Sequence, residues 1–396
     1  MSLEPLTTLA ELIALPSVNP MGLPATGDQY YEHQVTDYLE RLFRRLGWPY
    51  RRQPVAPNRE NILAYLEGRP GPLEGGKLLL FEAHQDTVPV EGMTIPPWEP
   101  TVRDGRIYGR GACDIKGGMT AMLAALDRTR NLPSRPSVLL ACTVNEEHGY
   151  TGALAVAKSW HKREPSIIPR RPDAAIIAEP TELNVVTAHK GAVRWRLKTS
   201  GVASHSSQPE AGRNAIYAMA PVLQALDAYQ RTAAQEVTPH PLCGGATLSV
   251  GVISGGLSVN TIPAECAIEV DRRLVPGETA QGGFEHVRSF LAAQPNVPRD
   301  LVHEPPFLVG PPLADVGNEE IAAQLLRAAR TVSDSRRIIG VPFGTDAATF
   351  AAAGVPSVVF GPGSIAQAHT ADEWLALDQL DAAIEILVRF LEQSPV

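Results

Sequence analysis

The chain predicts an α/β protein, a mixed and mostly parallel sheet flanked by helices and interrupted by a smaller α+β domain. Three observations predict it. Over residues 1–185, short apolar runs alternate with helix-forming stretches, the pattern of a doubly wound sheet. Within residues 186–303, Val193, Trp195 and Leu197 alternate with Arg194, Arg196 and Lys198, as in a half-buried antiparallel strand. After Gly310-Pro311-Pro312 the first pattern returns, so residues 304–396 rejoin the first domain. A length of 396 residues exceeds the usual single core and suits two domains.

The elements follow in chain order. A helix is expected near 28–46, with Asp28 as its cap and Gly47 as its stop. Leu78-Leu79-Leu80-Phe81 reads as a strand, a helix follows Gly117-Gly118 over 119–130, and Val138-Leu139-Leu140-Ala141 reads as the next strand. Another helix follows Gly152, then the strand Ala174-Ala175-Ile176-Ile177. In the inserted domain a helix near 214–229 is followed by strand-like runs at 247–253 and 264–274. Helices at 319–330 and 377–391 and the strand Val358-Val359-Phe360 complete the first domain.

Composition narrows the function. A formal net charge of -8 argues against a nucleic-acid partner, whose binders carry a basic stripe. Arg44-Arg45, Arg51-Arg52 and Arg170-Arg171 read as solvated helix ends or loops. No apolar stretch reaches a membrane span, and no basic segment precedes an apolar run to form a signal peptide. Cys113, Cys142, Cys243 and Cys266 are far apart with no CxxC spacing, so reduced, buried thiols and a cytoplasmic location are expected.

The chemistry gathers where strands end. His84 and Asp86 follow the first strand, Glu146 and Glu147 the second, Glu179 the third, and His369 the last, after a Gly-Pro-Gly turn. Ligands of open α/β sheets bind beyond the carboxyl ends of the strands. Two imidazoles among so many carboxylates suit a pair of divalent metals, zinc first. In His84-Gln85-Asp86, one outer residue can hold metal while the other orients it. Asp114 lies between glycines that allow tight turns and close approach to an ion; a bridging ligand and a simple turn residue are both open. Adjacent glutamates on extended backbone face opposite ways, so one of Glu146 and Glu147 would bind metal while the other takes a proton from water. A buried Glu179 needs a metal or a lysine beside it.

The segments HQDTVP (84–89), GRGACDIKGGMTAML (109–123), TVNEEHG (143–149), AEPT (178–181), GVASHSSQPEAGRNAI (201–216), NTIPAECAIEVDRRLVPGE (260–278) and GPGSIAQAHTADEW (361–374) carry a resemblance. In this order, over nearly the whole chain, they resemble the zinc-dependent metallopeptidases and deacylases that include acetylornithine deacetylase, succinyl-diaminopimelate desuccinylase, aminoacylases and glutamate carboxypeptidase. The resemblance implies a ferredoxin-like lid, which serves for homodimerisation in relatives, and two zinc ions, with cobalt or manganese as substitutes. It implies that Asp114 bridges the ions, that His84 and Glu179 complete one, and that Glu147 and His369 complete the other. Asp86 would orient His84, and Glu146 would be the general base. In the lid, His205 would stabilise the oxyanion, and Asn260 and Arg273 would hold the substrate's carboxylate. Strand alternation puts Arg273 on the face of Asp271 and turns Arg272 away.

The expected substrate is an N-acyl amino acid or dipeptide. GTDAATF (344–350) with the closing segment looks closest to acetylornithine deacetylases, where Asp346 would meet a cationic side chain; a helix cap is its other reading. Desuccinylases, carboxypeptidases and aminoacylases of the same family are the alternatives. A non-catalytic metal-binding protein on this fold would have lost the base, which Glu146 retains. A phosphoesterase is disfavoured because Arg273 is the one cation assigned to the pocket.

Overall fold

The computed structural model describes residues 3–160 and 167–394. The chain forms two compact units, one of Met1–Thr187, Asp315–Ile339 and Thr345–Val396, the other of Ala188–Ala314 with Gly340–Gly344. The first is built on an eight-stranded mixed sheet. Its strands run Tyr50–Ala56, Arg59–Leu66, Ser137–Thr143, Leu78–His84, Ala174–Ile177, Ser357–Val359, Val185–His189 and Ile338–Val341 across the sheet. Leu78–His84 lies parallel to both of its neighbours, and Ser357–Val359 lies parallel to Ala174–Ile177. Every residue of Leu78–His84, Ser137–Thr143 and Ala174–Ile177 is buried. That is why these segments read as unbroken apolar runs rather than as alternating strands. The helices Gly117–Thr129, Glu319–Arg330 and Leu377–Gln393 supply Met119, Met122, Leu325, Ile384 and Leu387 to the core over Phe81 and Leu140.

One helix start differs from the reading of the sequence. The helix expected from residue 28 begins at His33, with Glu32 at its cap position and no side-chain capping bond. Residues 28–32 are held instead by loop hydrogen bonds, including Val18 N–H to Gln29 O and Tyr31 N–H to Val18 O. The expected stop at Gly47 is present, at φ 72°.

The second unit has an antiparallel sheet ordered Thr247–Gly255, Glu265–Leu274, Gly191–Ser200 and Val302–His303. Leu308–Gly310 also pairs with Gly191–Ser200, so residues 304–314 fall with this unit. Asn214 caps the helix Ala215–Arg231, accepting from the N–H groups of Ile216 and Tyr217. A second helix, Ala280–Ala293, is capped by Thr279. Trp195, Tyr229, Ile268 and Val287 meet between helices and sheet. Burial along Glu265–Leu274 alternates, so Arg272 points into this core beside the Tyr229 hydroxyl. Arg273 lies on the other face.

Candidate metal centre

Parallel pairing sets the first unit's polar cluster. His84 ends its strand opposite Thr143 of the neighbouring strand, and Glu82 is opposite Ile177. The segments bearing Glu146, Glu147 and Glu179 therefore leave the sheet at the same edge as His84. Asp114 sits in a tight turn. Gly111 precedes it at φ +83°, and a Cβ on Gly117 would lie 2.6 Å from the Ala112 carbonyl oxygen. His369 has φ 64°, an uncommon conformation for a residue with a side chain.

These segments converge. His84 Nε2 is 3.1 Å from Asp114 Oδ1, and His369 Nε2 is 3.3 Å from Asp114 Oδ2. Each oxygen of one carboxylate thus faces a different imidazole. Glu147 Oε2 lies 3.3 Å from the same His369 nitrogen. Donor atoms of His84, Asp114 and Glu147 lie within 4.8 Å of one another, as do those of His84, Glu146 and Glu179.

The charge balance calls for cations. Four carboxylates crowd two imidazoles, and among the described residues every ion pair of Asp114 and Glu147 is with an imidazole. One buried oxygen of Glu147 has no hydrogen-bond partner among the described residues. Burial, then the charge of Glu179, pushes the Glu146 carboxyl well above its ordinary value. Burial, then Asp114, does the same to Glu179. Carboxylates of this kind hold protons unless positive charge enters, and a divalent ion is the usual source. The donor set of imidazole and carboxylate fits two such ions.

The neighbouring groups order this cluster. His84 Nδ1 bonds the backbone carbonyl of Asp86 at 2.9 Å, while the Asp86 carboxylate is 3.7 Å from that nitrogen. The Asp86 carboxylate accepts instead from the backbone N–H groups of Glu146 at 3.1 Å and Glu147 at 3.2 Å. Asp86 therefore orients the glutamate pair through its side chain and His84 through its main chain, a division that an HxD triplet cannot disclose. Asn19, which the sequence did not single out, donates to Asp86 Oδ2 at 2.8 Å and to Asn145 Oδ1 at 3.0 Å. Its only signal is a polar residue between Val18 and Pro20.

Asp346 corrects an expectation. It is wholly buried, and its carboxylate accepts from the Thr143 hydroxyl, which also bonds Glu82. It precedes the helix Ala347–Ala352 yet makes no side-chain capping bond. Burial raises its carboxyl to about 7. A group so enclosed is not open to a substrate's side chain.

The remaining expected residues lie in the second unit. His205 and Asn260 are brought together there: His205 bridges to Thr261, and the Ser206 N–H donates to the Asn260 carbonyl at 3.0 Å. Both are exposed. Arg273 is half-buried, with its Nε 2.7 Å from Asp271 Oδ1.

Metal uptake should depend on pH with a definite sign. Burial disfavours the charged imidazoles, but bonds to Asp114 and Glu147 outweigh it and lift His369 to about 11. The bond to Asp114 and the nearby negative charge of Asp86 likewise lift His84 well above its ordinary value, against burial. Both imidazoles hold a proton more tightly than a free histidine when no metal is bound, and a metal-ligating imidazole must lose that proton. Apparent affinity for cobalt is expected to rise about tenfold per pH unit for each proton released. Calorimetry in buffers of different ionisation enthalpy counts those protons, and a pH-independent affinity would contradict this account.

The fold and the cluster define a class, a divalent-metal-dependent hydrolase on a mixed sheet flanked by helices. Residues 80–393 match peptidase family M20/M25/M40, and the chain belongs to that family. It is 32% identical over 395 residues to an acetylornithine deacetylase of Proteus mirabilis, covering 96% of this chain and 94% of the relative. A solved M20 metallo-carboxypeptidase from Sulfolobus solfataricus superposes with a TM-score of 0.78 at 19% identity, covering 98% of this chain and 99% of that one. A dinuclear metal-binding M20 peptidase from Bacillus subtilis gives 0.64 at 18% identity, covering 98% of each chain.

Proposed function

We propose that this chain hydrolyses the amide bond of an N-acyl amino acid, N-acetylornithine foremost, at a pair of zinc ions. The observation that carries the reading is Asp114, whose two oxygens face His84 and His369 separately. His84 and Glu179 would complete one ion, and Glu147 and His369 the other. Cobalt or manganese would substitute for zinc in the same donor set. Bound there, the ions supply Lewis acidity and stabilise the negative charge that develops on the carbonyl oxygen.

The chain's own groups do the rest. Glu146 makes none of the direct contacts of the Asp114–His369–Glu147 group, yet lies within 4.8 Å of His84 and Glu179 donor atoms. It takes a proton from the attacking water and returns it to the leaving amine nitrogen. His205 serves the oxyanion, and Asn260 and Arg273 serve the substrate's carboxylate, for which a guanidinium fork is suited.

The ornithine preference draws support from the relatives' names and none from Asp346. It is tested by assaying the metal-loaded protein on N-acetylornithine, N-succinyl-diaminopimelate and an acyl-glutamate. N-acetylornithine should give the highest kcat/KM; no turnover of it beside good turnover of another would reverse the ranking.

A homodimer through the second unit is part of this proposal. Leu257 and Val259 are fully exposed there, and Tyr217 is largely so. Exposed apolar surface of that kind marks an association site, and sedimentation of the protein with Val259→Asp tests it. Cys113, Cys142 and Cys266 are free thiols, and all four cysteines are buried, which supports a cytoplasmic location. Among the described residues no helix is long and apolar enough to cross a membrane.

A further inference from the structure

Four residues beyond His369, the same segment carries Glu373, which is wholly buried. Its carboxylate is turned toward the loop that bears Asp114. Oε1 accepts the backbone N–H groups of Cys113 at 2.9 Å and Asp114 at 3.0 Å. Oε2 accepts the Gly111 N–H at 3.1 Å and Arg110 Nη1 at 2.7 Å. A carboxylate offers about four lone-pair sites, and four donors occupy this one. No acceptor capacity is left for an ion, so any influence on the metal centre acts through Asp114.

The main chain reinforces the link. The Gly109 N–H donates to the Glu373 carbonyl at 3.0 Å, the Thr94 N–H to the Ala371 carbonyl at 2.8 Å, and Trp374 pairs with Tyr108. The segment holding one proposed ligand, His369, is thereby stitched to the loop holding the shared ligand, Asp114. The donors are the N–H groups of the turn itself, including that of Asp114, so the contact fixes the point from which the Asp114 side chain starts.

We propose that Glu373 is a positioning residue that locks the Asp114 loop to the His369 segment, so that both halves of the metal centre are set by one carboxylate. This rests on the two-metal reading given above. Glutamine cannot replace it, because a single acceptor oxygen remains and the amino group would confront N–H donors.

The test titrates metal-free protein with cobalt, following visible absorption, with metal content measured after dialysis. The unaltered chain should take up two equivalents. Glu373→Gln should bind about 10–100-fold more weakly, the usual cost of losing a group that orients a ligand. Arg110→Gln/Glu373→Gln separates positioning from charge balance. It removes the buried charge pair altogether, so it should recover much of the melting temperature while cobalt affinity stays low.

Unaltered cobalt affinity in Glu373→Gln would overturn the proposal, as would a double variant that recovers affinity together with melting temperature. Failure of both variants to fold would overturn it too, making Glu373 a folding residue alone. If the unaltered chain itself took up fewer than two equivalents, the two-metal reading would fall first, and that result is distinct from the others.

Discussion

Asp114→Asn is expected to strip both metals from the protein and to bring amide hydrolysis down to background. The substitution conserves size, so its effect isolates charge and lone pairs. In the structure one carboxylate serves two imidazoles, His84 through Oδ1 and His369 through Oδ2. Those bonds, working against burial, hold its carboxyl below the ordinary range. An amide keeps one acceptor oxygen and turns a donor toward the other imidazole, so one half of the centre loses its anion and the other keeps a weaker ligand. His369→Ala provides the comparison: it removes a group from one half only and is expected to retain about one equivalent. Metal content after dialysis, measured beside hydrolysis of N-acetylornithine, distinguishes the two variants. Two full equivalents retained by Asp114→Asn would end the idea of a shared ligand.

The sequence disclosed the cluster because its chemistry is carried by residue types at strand ends. Leu78 to Phe81, Val138 to Ala141 and Ala174 to Ile177 are buried on both faces, and such strands announce themselves as continuous apolar runs. The polar residues that follow are then conspicuous. What the pattern could not convey is which polar groups face each other across long separations. Asp346 after Thr345 looks like a helix cap, but its partners are Thr143 and, through that hydroxyl, Glu82. Asp86 looks like an imidazole's carboxylate partner, but the main-chain carbonyl takes that place. Glu373 carries no cue of its own in the sequence, because its four donors are mainly backbone N–H groups with no side-chain signature. In the second unit the helix Ala280–Ala293 went unread, since Ala280-Gln281-Gly282-Gly283 hides its first turn. The start near Asp28 failed for a related reason: a good capping residue is a local cue, and the loop bonds around Val18 override it.

Glu146→Gln is expected to leave metal uptake near normal while lowering kcat by about 10²–10⁴-fold, the range that a positioned acid–base group supplies. The expectation rests on a contrast between neighbours. Glu147 meets His369 at 3.3 Å in the half of the cluster that includes Asp114. Glu146 is buried among His84 and Glu179 and makes no such contact with His369. Its backbone N–H is tied to Asp86, so the main chain is fixed while the carboxylate is left to exchange a proton. Burial and the adjacent Glu179 raise its proton affinity in the metal-free protein; bound cations would lower it again, toward the value a base needs near neutral pH. Glutamine conserves shape and removes that capacity. Glu147→Gln, by contrast, should weaken cobalt binding before it affects chemistry, because a ligand is lost. Metal content and kcat measured on both variants therefore assign the two glutamates. A Glu146→Gln protein that turns over at the normal rate, or a Glu147→Gln protein that keeps full metal while losing turnover, would exchange or abolish the roles given to them here.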